Sequence, residues 1–322
     1  MKGSYFNNGN SRLRGSTMVA VFWLISILGI AVFSVITLVK FESDLVLSSA
    51  QGTRARHLAE MGIAVGANPA VERDDPLLRQ VLEGGTEGFS CEIESEADKI
   101  DINLLLLNQD PIADDKGWLR ELFFEWGMEL EDAQALADAL VDWVDAGDTE
   151  EINGAEAPYY ENLGFPNRPF NRPFYDLQEM RFVRGFAALE QVNPNWRDWF
   201  TIWTQTGLDV NEATAERLAR VLNLTEEQTS IIPETVRGID GILGTEDDQP
   251  FQSVEDAAGP AGLVFMTEEE FAQSGHRISA GSETTRLEST GWSGDVKRRV
   301  TLIIRNREGN PTLLERREEI VR

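Results

Sequence analysis

The hydrophobic pattern of the chain begins with one long uncharged stretch. Residues 16–39 contain no formally charged side chain, and as a helix rising about 1.5 Å per residue they are long enough to cross a bilayer. The preceding residues carry Lys2, Arg12 and Arg14 and no acid, so the positive-inside rule predicts a cytoplasmic N-terminus. A cleavable secretion signal would have a shorter apolar core and a small-residue cleavage site behind it. We therefore predict a single-pass transmembrane helix, with a plain membrane anchor as the simplest alternative.

A helical pattern continues beyond this stretch. Residues 40–68 contain no proline, and Pro69 ends the pattern. Five apolar side chains recur there at helical spacing: Leu47, Ala50, Leu58, Met61 and Val65. We predict one continuous helix, with residues 16–39 in the membrane and residues 40–68 as a stalk that packs on a globular domain.

The rest of the chain predicts strands on both sides of a helical block. We predict strands at 89–93, 99–103, 284–290, 296–306 and 312–320. The predicted helices lie at 76–82, 114–146, 176–183, 195–204 and 211–222, with a proline-rich loop at 151–174. This order indicates an α+β fold in which residues 69–103 and 265–322 form an α/β domain and residues 104–264 form a helical insertion.

Composition restricts the classes of function. Asp and Glu number 55 against 29 Lys and Arg, a net charge of −26, so the chain repels nucleic acids and anionic lipid and attracts cations. Cys91 is the single cysteine and there are two histidines, which excludes an intramolecular disulfide and a Cys/His zinc cluster. Nucleophile-elbow, P-loop and dinucleotide motifs are absent from the sequence. We predict no enzymatic activity and no nucleic-acid binding.

Two acidic stretches could bind a hard cation such as Ca²⁺, which prefers six to eight oxygen ligands. In the first, two acids share a helix face near the helix C-terminus, where they oppose the macrodipole. The second does not follow the EF-hand order. The alternatives are a solvated acidic loop and an acidic surface turn. The candidate ligands are Asp142, Asp145, Asp148, Glu151, Asn153 and Glu156 in the first stretch, and Asp240, Glu246, Asp247 and Asp248 in the second.

Four aromatic residues in the helical block also recur at helical spacing: Trp196, Trp199, Phe200 and Trp203. The favoured interpretation is a helical core, and the alternative is an exposed contact for a partner protein. Residues 176–186 and 210–224 resemble helix-hairpin-helix repeats. Because the block is acidic, we interpret them as packing units and not as DNA-binding elements.

The start of the chain resembles a type IV pilin-like signal, with a basic leader that ends at Gly15 in front of a retained apolar helix. The resemblance implies cleavage by a prepilin peptidase between Gly15 and Ser16, which makes residues 1–15 the leader, and N-methylation of Ser16. Pilins of that family usually carry Glu at the fifth mature position, which is Ala20 here. A carboxylate is unfavourable in lipid unless it is paired. A subunit without it cannot make that pair with a neighbour above, which suits a place at the filament tip.

Further segments resemble the K-type minor pseudopilins of type II secretion. They are "RARHLAEMGIAVG" at 54–66, "DINLL" at 101–105, "LADALVDWVDAGD" at 136–148, "NGAEAPYY" at 153–160, "RPFYDLQEMRFVRGF" at 172–186 and "VNEATAERLARVLNLT" at 210–225. The resemblance implies a pilin-like α/β domain interrupted by an all-α insertion of helix-hairpin-helix or SAM-like type. It also raises the expectation of calcium, because pseudopilins often use this ion to fix loops.

The same resemblance implies a structural role at the tip of the pseudopilus, where the subunit nucleates assembly and takes part in export across the outer membrane. Expected partners are I- and J-type minor pseudopilins, the prepilin peptidase and the inner-membrane secretion platform. The expected location is the Gram-negative inner membrane, with the C-terminal domain in the periplasm. Two alternatives stay open: a minor pilin of a type IV pilus or related filament, and a bitopic membrane protein with a periplasmic domain.

Overall fold

The computed structural model describes residues 13–82, 84–108, 113–258 and 274–321, and for residues 13–16, 258 and 275 it describes only the backbone. The chain combines one long helix, a five-stranded sheet and a block of short helices, so the predicted α+β class is confirmed. Parts of the predicted leader, α/β domain and helical insertion lie outside the described residues: 1–12, 83, 109–112, 259–273 and 322.

The first element, α1 (Leu13–Gly66), is one continuous helix of 54 residues, as the sequence predicts. Every side chain from Thr17 to Ala50 is exposed, and regular burial begins at Gly52. The helix ends shortly before Pro69, whose ring disfavours the helical conformation of the residue before it. The exposed first half and the stalk half are therefore parts of one continuous helix.

The strands within the described residues are β1 (Arg79–Val81), β2 (Glu87–Ser95), β3 (Ile100–Asp101), β4 (Phe200–Thr201), β5 (Leu208–Asp209), β6 (Ile278–Ser279), β7 (Thr284–Ser293), β8 (Val296–Arg305) and β9 (Thr312–Val321). The main sheet has the order β1-β2-β7-β8-β9, and all its neighbours are antiparallel. β3 pairs with β4 and β5 pairs with β6 in two short parallel ladders. The predicted strands at 89–93 and near the C-terminus are confirmed.

The stalk half of α1 packs on β2, β7 and β8 through small residues. A Cβ on Gly62 would lie 2.7 Å from Cδ2 of Phe89, and a Cβ on Gly66 would lie 2.8 Å from Sγ of Cys91. Helix and sheet therefore approach too closely for larger side chains at these positions. The core beneath the stalk consists of Ala59, Ile63, Val71, Leu78, Cys91, Ile93, Leu287, Val300 and Ile304.

The helical block lies between β3 and β6 in the sequence. The α-helices that the structure describes there are α2 (Ile102–Leu107), α3 (Asp115–Glu125), α4 (Leu130–Val144), α5 (Ala157–Asn162), α6 (Phe186–Val192), α7 (Ala215–Leu222), α8 (Glu226–Thr229), α9 (Ile231–Val236) and α10 (Val254–Ala258). In the described part of the chain, 3₁₀ turns lie at Pro76–Leu78, Glu96–Asp98, Leu177–Phe182, Trp196–Asp198 and Gly275–Arg277. A separate aromatic core around Trp143 and Trp196 fills the block.

Several predicted elements differ from the structure. The helix predicted at 195–204 is the 3₁₀ turn Trp196–Asp198 followed by β4, and the helix predicted at 176–183 is also 3₁₀. The predicted strand 99–103 is the two-residue β3, after which the carboxylate of Asp101 accepts hydrogen bonds from the amides of residues 103 and 104 and starts α2. A cap that satisfies two free helix amides ends the strand early.

Other differences concern ends and interruptions. The helix predicted at 76–82 is a 3₁₀ turn followed by β1, and the one predicted at 114–146 is divided by Gly127, which has a φ of +103°. The proline-rich loop at 151–174 contains α5. The helix predicted at 211–222 is α7, which begins only after Thr214, whose hydroxyl accepts from the Arg217 amide.

Buried ion pairs join the sheet to the helical block. Arg286 of β7 contacts Glu94, Glu96 and Asp98, with its Nη1 2.7 Å from Oε2 of Glu96. Burial alone would lower the pKa of Arg286, but these three carboxylates raise it. Asp98 also accepts from Arg217 of α7 at 2.8 Å. Because each charge is compensated, this junction fixes the block against the sheet.

Candidate functional site

The first candidate surface is the exposed, uncharged part of α1 from Thr17 to Val39, called the apolar half below. Met18 and Phe22 are each 72% exposed, and their neighbours along the helix are similarly uncovered. Of the described helices, α1 is the one that is long and apolar enough to cross a membrane. The arrangement fits a single-pass membrane anchor.

The predicted processing residues lie at the start of this helix. Gly15 and Ser16 belong to the first turns of α1, where the structure describes only the backbone. Ala20 lies one turn further on and is exposed. Cleavage, N-methylation and the role of Ala20 stay predictions.

The second candidate site is the segment of residues 145–156 behind α4, called the acidic loop below. Asp142, at the end of α4, is fully buried and its carboxylate accepts from the backbone amides of Glu151 at 3.1 Å and Ala155 at 2.7 Å. Burial raises the pKa of Asp142, although these two amides oppose the rise. Asp142 therefore ties the acidic loop back onto the helix.

Glu156 closes the acidic loop and is also buried. One of its carboxylate oxygens, Oε1, is inaccessible to solvent and has no hydrogen-bond partner, whereas Oε2 accepts from the amide of Ala157 at 3.2 Å. Burial raises the pKa of Glu156 to about 7, and the nearby carboxylates of Asp142, Asp145 and Asp148 raise it further. An unpartnered buried carboxylate oxygen is unfavourable unless a proton or a cation compensates it.

The other predicted ligands of this stretch are occupied or exposed. Glu151 forms an ion pair with Lys116 at 2.9 Å, and the side-chain amide of Asn153 donates to Asp138 at 3.1 Å. Asp145 accepts from the amide of Gly147, and Asp148 is exposed. The structure thus brings Asp142 and Glu156 into the protein interior and leaves the others at its surface.

Asp138 also belongs to this site, although the sequence pattern did not indicate it as a candidate ligand. It lies one turn before Asp142 on α4, is 1% exposed, and contacts Lys116 at 3.2 Å. Burial would raise its pKa, but hydrogen bonds from Gln134, Lys116 and Asn153 outweigh burial and lower it. The spacing of four residues between Asp138 and Asp142 was a signal that could have revealed the pair.

The second acidic stretch forms a tight turn. The carboxylate of Asp247 accepts from the hydroxyl of Thr245 at 2.9 Å and from the amides of Ile239 at 2.6 Å and Asp240 at 3.1 Å. The Thr245 hydroxyl and then these two amides lower the pKa of Asp247. Asp240 itself accepts from the amide of Ile242, and Glu246 is exposed. Asp248 accepts from the amide of Gly244 through Oδ2, while its Oδ1 is buried without a partner.

Both stretches offer oxygen ligands and one buried, unpartnered carboxylate oxygen, and in this respect they fit Ca²⁺. Over residues 13–82, 84–108, 113–258 and 274–321, however, no three side chains of the His, Cys, Asp or Glu type are grouped as a metal site requires. A bound ion would need further oxygens from backbone carbonyls or water.

The aromatic residues near Trp196 form core and not surface. Trp196 and Phe200 are fully buried, while Trp199 and Trp203 pack partly buried against the same core. The indole Nε1 of Trp203 donates to Glu315 of β9 at 2.7 Å. The interpretation of these residues as core is confirmed. The hairpin-like segments likewise bury Met180 and Leu218, as packing units do.

Two comparisons with known proteins bear on this arrangement. Residues 98–194, from β3 through α6, match the family model of type II secretion system (T2SS) protein K. The matched segment is similar to the protein K family of type II secretion. It includes the acidic loop and most of the aromatic core. That family is a structural component of the secretion system and not a known enzyme family.

The fold comparison extends beyond this segment. A chain of the crystal structure of the GspK-GspI-GspJ complex from the enterotoxigenic Escherichia coli type 2 secretion system aligns with a TM-score of 0.58 and 13% identity. The alignment covers 88% of the present chain and 98% of that chain. No curated protein matches the sequence. The resemblance to the minor pseudopilin K of type II secretion is confirmed, and the comparisons support a minor component of the pseudopilus.

Proposed function

We propose that the chain is a minor pseudopilin that caps the type II secretion pseudopilus and nucleates its assembly during protein export across the outer membrane. The proposal rests on one combination of features. α1 has an exposed apolar half and a stalk that packs on the sheet, and the same chain contains a segment that matches protein K. The apolar half would lie first in the inner membrane and then in the filament core.

Tip placement is supported by two features. Ala20 stands where other pilins usually carry Glu, so the apolar half cannot offer that carboxylate to the amino terminus of a subunit above it. The helical block is joined to the sheet through Asp98, which contacts both Arg286 of β7 and Arg217 of α7. The block adds bulk that would prevent stacking of a further subunit. In this proposal, the missing carboxylate at Ala20 and the bulk of the helical block both prevent a further subunit from adding above this one.

I- and J-type minor pseudopilins are the proposed partners. The support is the fold shared with a chain of a GspK-GspI-GspJ complex. Contacts would form through the apolar half of α1 and through the α/β domain. The prepilin peptidase and the inner-membrane secretion platform would act on the chain before it enters the filament.

Calcium belongs to the proposal as a structural ion. Asp142 and Glu156 would bind it in the acidic loop, and Asp248 in the second stretch, because two of these carboxylates have an unpartnered buried oxygen. The ion would neutralise the acids that oppose the dipole of α4. Calorimetry on the detergent-solubilised full chain is expected to show Ca²⁺ binding in the micromolar range. The absence of both heat and a change in melting temperature would contradict this part of the proposal.

Mass spectrometry of the native N-terminus tests the central proposal. The expected chain begins with N-methylated Ser16, and a chain that still begins with Met1 would favour a bitopic membrane protein. Co-purification separates the remaining alternative: a type II secretion ATPase and secretin are expected, whereas a retraction ATPase would indicate a minor pilin of a type IV pilus.

A further inference from the structure

One surface of the helical block combines exposed aromatic rings with arginines. It follows α5 and includes the 3₁₀ turn Leu177–Phe182. Phe165 and Phe182 are 46% and 47% exposed, and Tyr175 is 67% exposed. The residues of this surface, called the arginine–aromatic patch, are Phe165, Arg168, Phe170, Arg172, Tyr175 and Phe182. Aromatic and arginine side chains are the residue types enriched at the centres of protein interfaces.

Arg168 is the centre of the patch. Its guanidinium carbon lies 4.3 Å from the ring centre of Phe165 and 4.1 Å from that of Phe182. Contact with two rings fixes the plane of a half-buried guanidinium before any partner arrives. The N–H groups of a guanidinium lie in its plane, so stacking leaves them available at the edge.

Within the described part of the chain, the side chain of Arg168 has no hydrogen-bond acceptor and no ion-pair partner. Its neighbour Arg172 contacts both an aromatic ring and a carboxylate. Arg172 stacks over Tyr175 at 3.8 Å, and its Nη1 lies 3.1 Å from Oε2 of Glu179. The same patch therefore contains one stacked arginine with a carboxylate at its edge and one without.

The excess of positive charge around the patch favours the binding of an acidic side chain. Residues 165–184 carry four arginines and two acids, within a chain whose net charge is −26. A polyanionic partner would be repelled by the rest of the surface, but repulsion between exposed charges falls off over about 8 Å at physiological salt. The patch consequently suits a single carboxylate set among apolar side chains better than a polyphosphate or an anionic membrane.

We infer that the arginine–aromatic patch is a docking site for a partner-protein segment that presents an Asp or Glu side chain flanked by apolar residues. The partner carboxylate accepts hydrogen bonds from the free N–H groups of Arg168, as the carboxylate of Glu179 does from Arg172. The flanking apolar side chains cover Phe165, Phe182 and Tyr175. This role does not depend on tip placement, because it needs only the folded helical block.

The test uses the full chain in detergent and a fluorescein-labelled Gly-Phe-Glu-Leu-Gly peptide, followed by fluorescence anisotropy. Because Arg168→Gln removes a charge-assisted hydrogen bond to the peptide carboxylate, it is expected to weaken binding at least about tenfold. The peptide affinity of Arg168→Lys is expected to lie between those of wild type and Arg168→Gln. Lysine keeps the positive charge but lacks the paired N–H groups of the planar guanidinium. Melting temperatures of both variants verify that they fold.

Two controls separate recognition from general charge. Arg220→Gln removes an exposed arginine that pairs with Glu125 elsewhere on the block, and it should leave peptide binding unchanged. The peptide with Gln in place of Glu should bind at least about tenfold more weakly than the Glu peptide.

The inference is overturned if the Glu and Gln peptides bind equally, if Arg220→Gln weakens binding as much as Arg168→Gln, or if no binding occurs at millimolar peptide. It is also overturned if short-chain phosphatidylglycerol, below its micelle concentration, binds in an Arg168-dependent manner while the peptide does not. That result would assign the patch to a lipid headgroup.

Discussion

Gly291 of β7 lies so close to Ala55 of α1 that a Cβ on the glycine would overlap the carbonyl oxygen of Ala55. The amide nitrogen of Ala59, one turn further along α1, would be overlapped as well. Both clashes involve backbone atoms, which cannot rotate away as a side chain can. The spacing between the stalk and the sheet is therefore set by the missing side chain of Gly291.

Gly291→Ala is expected to destabilise the chain by about 1–3 kcal/mol, because the overpacked helix and sheet must separate. Urea denaturation of the detergent-solubilised chain, followed by circular dichroism, measures the change. Gly52→Ala is the matched control at the same interface, since its Cβ would lie 3.4 Å from Nη2 of Arg298, an ordinary contact with a flexible side chain. Equal stability of the Gly291→Ala variant and wild type would contradict this account of the packing.

The same interface shows what a hydrophobic pattern can and cannot predict. The sequence predicted one continuous helix, and Leu58 lies on its buried side as expected. Met61 and Leu47, also assigned to the apolar stripe, are exposed. The face that packs on the sheet is instead rich in glycine and alanine, and small residues carry little hydrophobic signal although they permit the closest backbone approach.

The aromatic block was predicted correctly as core and wrongly as helix. Trp196, Phe200 and Trp203 recur at intervals of three and four, which is the helical period. In the structure a 3₁₀ turn brings Trp196 inside, and a two-residue strand paired with Ile100 and Asp101 brings in Phe200. That ladder joins residues about a hundred positions apart, and a local pattern carries no information about it.

Arg286→Gln is expected to destabilise the chain by about 1.5–3 kcal/mol, because it removes charge-assisted hydrogen bonds to Glu96 and Asp98. These two acids would keep only Lys99 and Arg217 as cation partners. Denaturant unfolding at neutral pH measures this loss. Arg316→Gln serves as the control, since Arg316 and Glu60 form a surface pair 42% and 35% exposed, and such pairs contribute at most about 1 kcal/mol. Similar losses in the two variants would argue against a special role for the buried junction.

The Arg286 junction also predicts acid sensitivity. Burial would raise the pKa of Asp98, but attraction by Arg286 outweighs burial and lowers the pKa below its ordinary value of 3.8. The stabilisation is therefore present above pH 3.8 and is lost as the pH falls through the lower folded-state pKa. An Asp98→Asn variant should lose this part of the acid dependence, and an unchanged acid unfolding curve would contradict the assignment.

Glu156 predicts the opposite dependence on pH. Its folded-state pKa of about 7 exceeds its ordinary value of 4.5, so the folded chain binds the proton more tightly than the unfolded chain does. Stability should therefore fall as the pH rises from about 4.5 to 7, by up to about 3 kcal/mol. Melting curves without calcium over this range measure the effect.

Glu156→Gln should abolish this fall and should be more stable than wild type above pH 7, because a neutral amide replaces a buried charge. Glu161→Gln, on the exposed surface of α5, is the control and should retain the wild-type dependence. If calcium binds here, adding it above pH 7 should stabilise wild type and not Glu156→Gln. A Glu156→Gln variant with the wild-type pH profile would contradict the assignment.

The acidic composition of the loop predicted candidate ligands, but it did not predict which of them are buried. The sequence identified Asp142 and Glu156 as candidate ligands but could not distinguish them from exposed Asp148. Burial depends on how residues 151–155 fold back so that their amides reach Asp142. Such a return is set by tertiary packing, since the same acids in a solvated loop would have the same spacing.

Ala20→Glu separates the two proposed causes of tip placement. If the bulk of the helical block ends the filament, the variant should remain at filament ends and secretion should continue, even though its apolar half now carries the carboxylate of other pilins. Immunogold labelling of overexpressed pseudopili measures position, and export of a secreted substrate measures function. Ala20→Gln is the matched neutral control. Labelling along the filament shaft for Ala20→Glu alone would contradict the role of shape and would assign tip placement to the missing charge, because pairing is what makes a carboxylate tolerable in the apolar core.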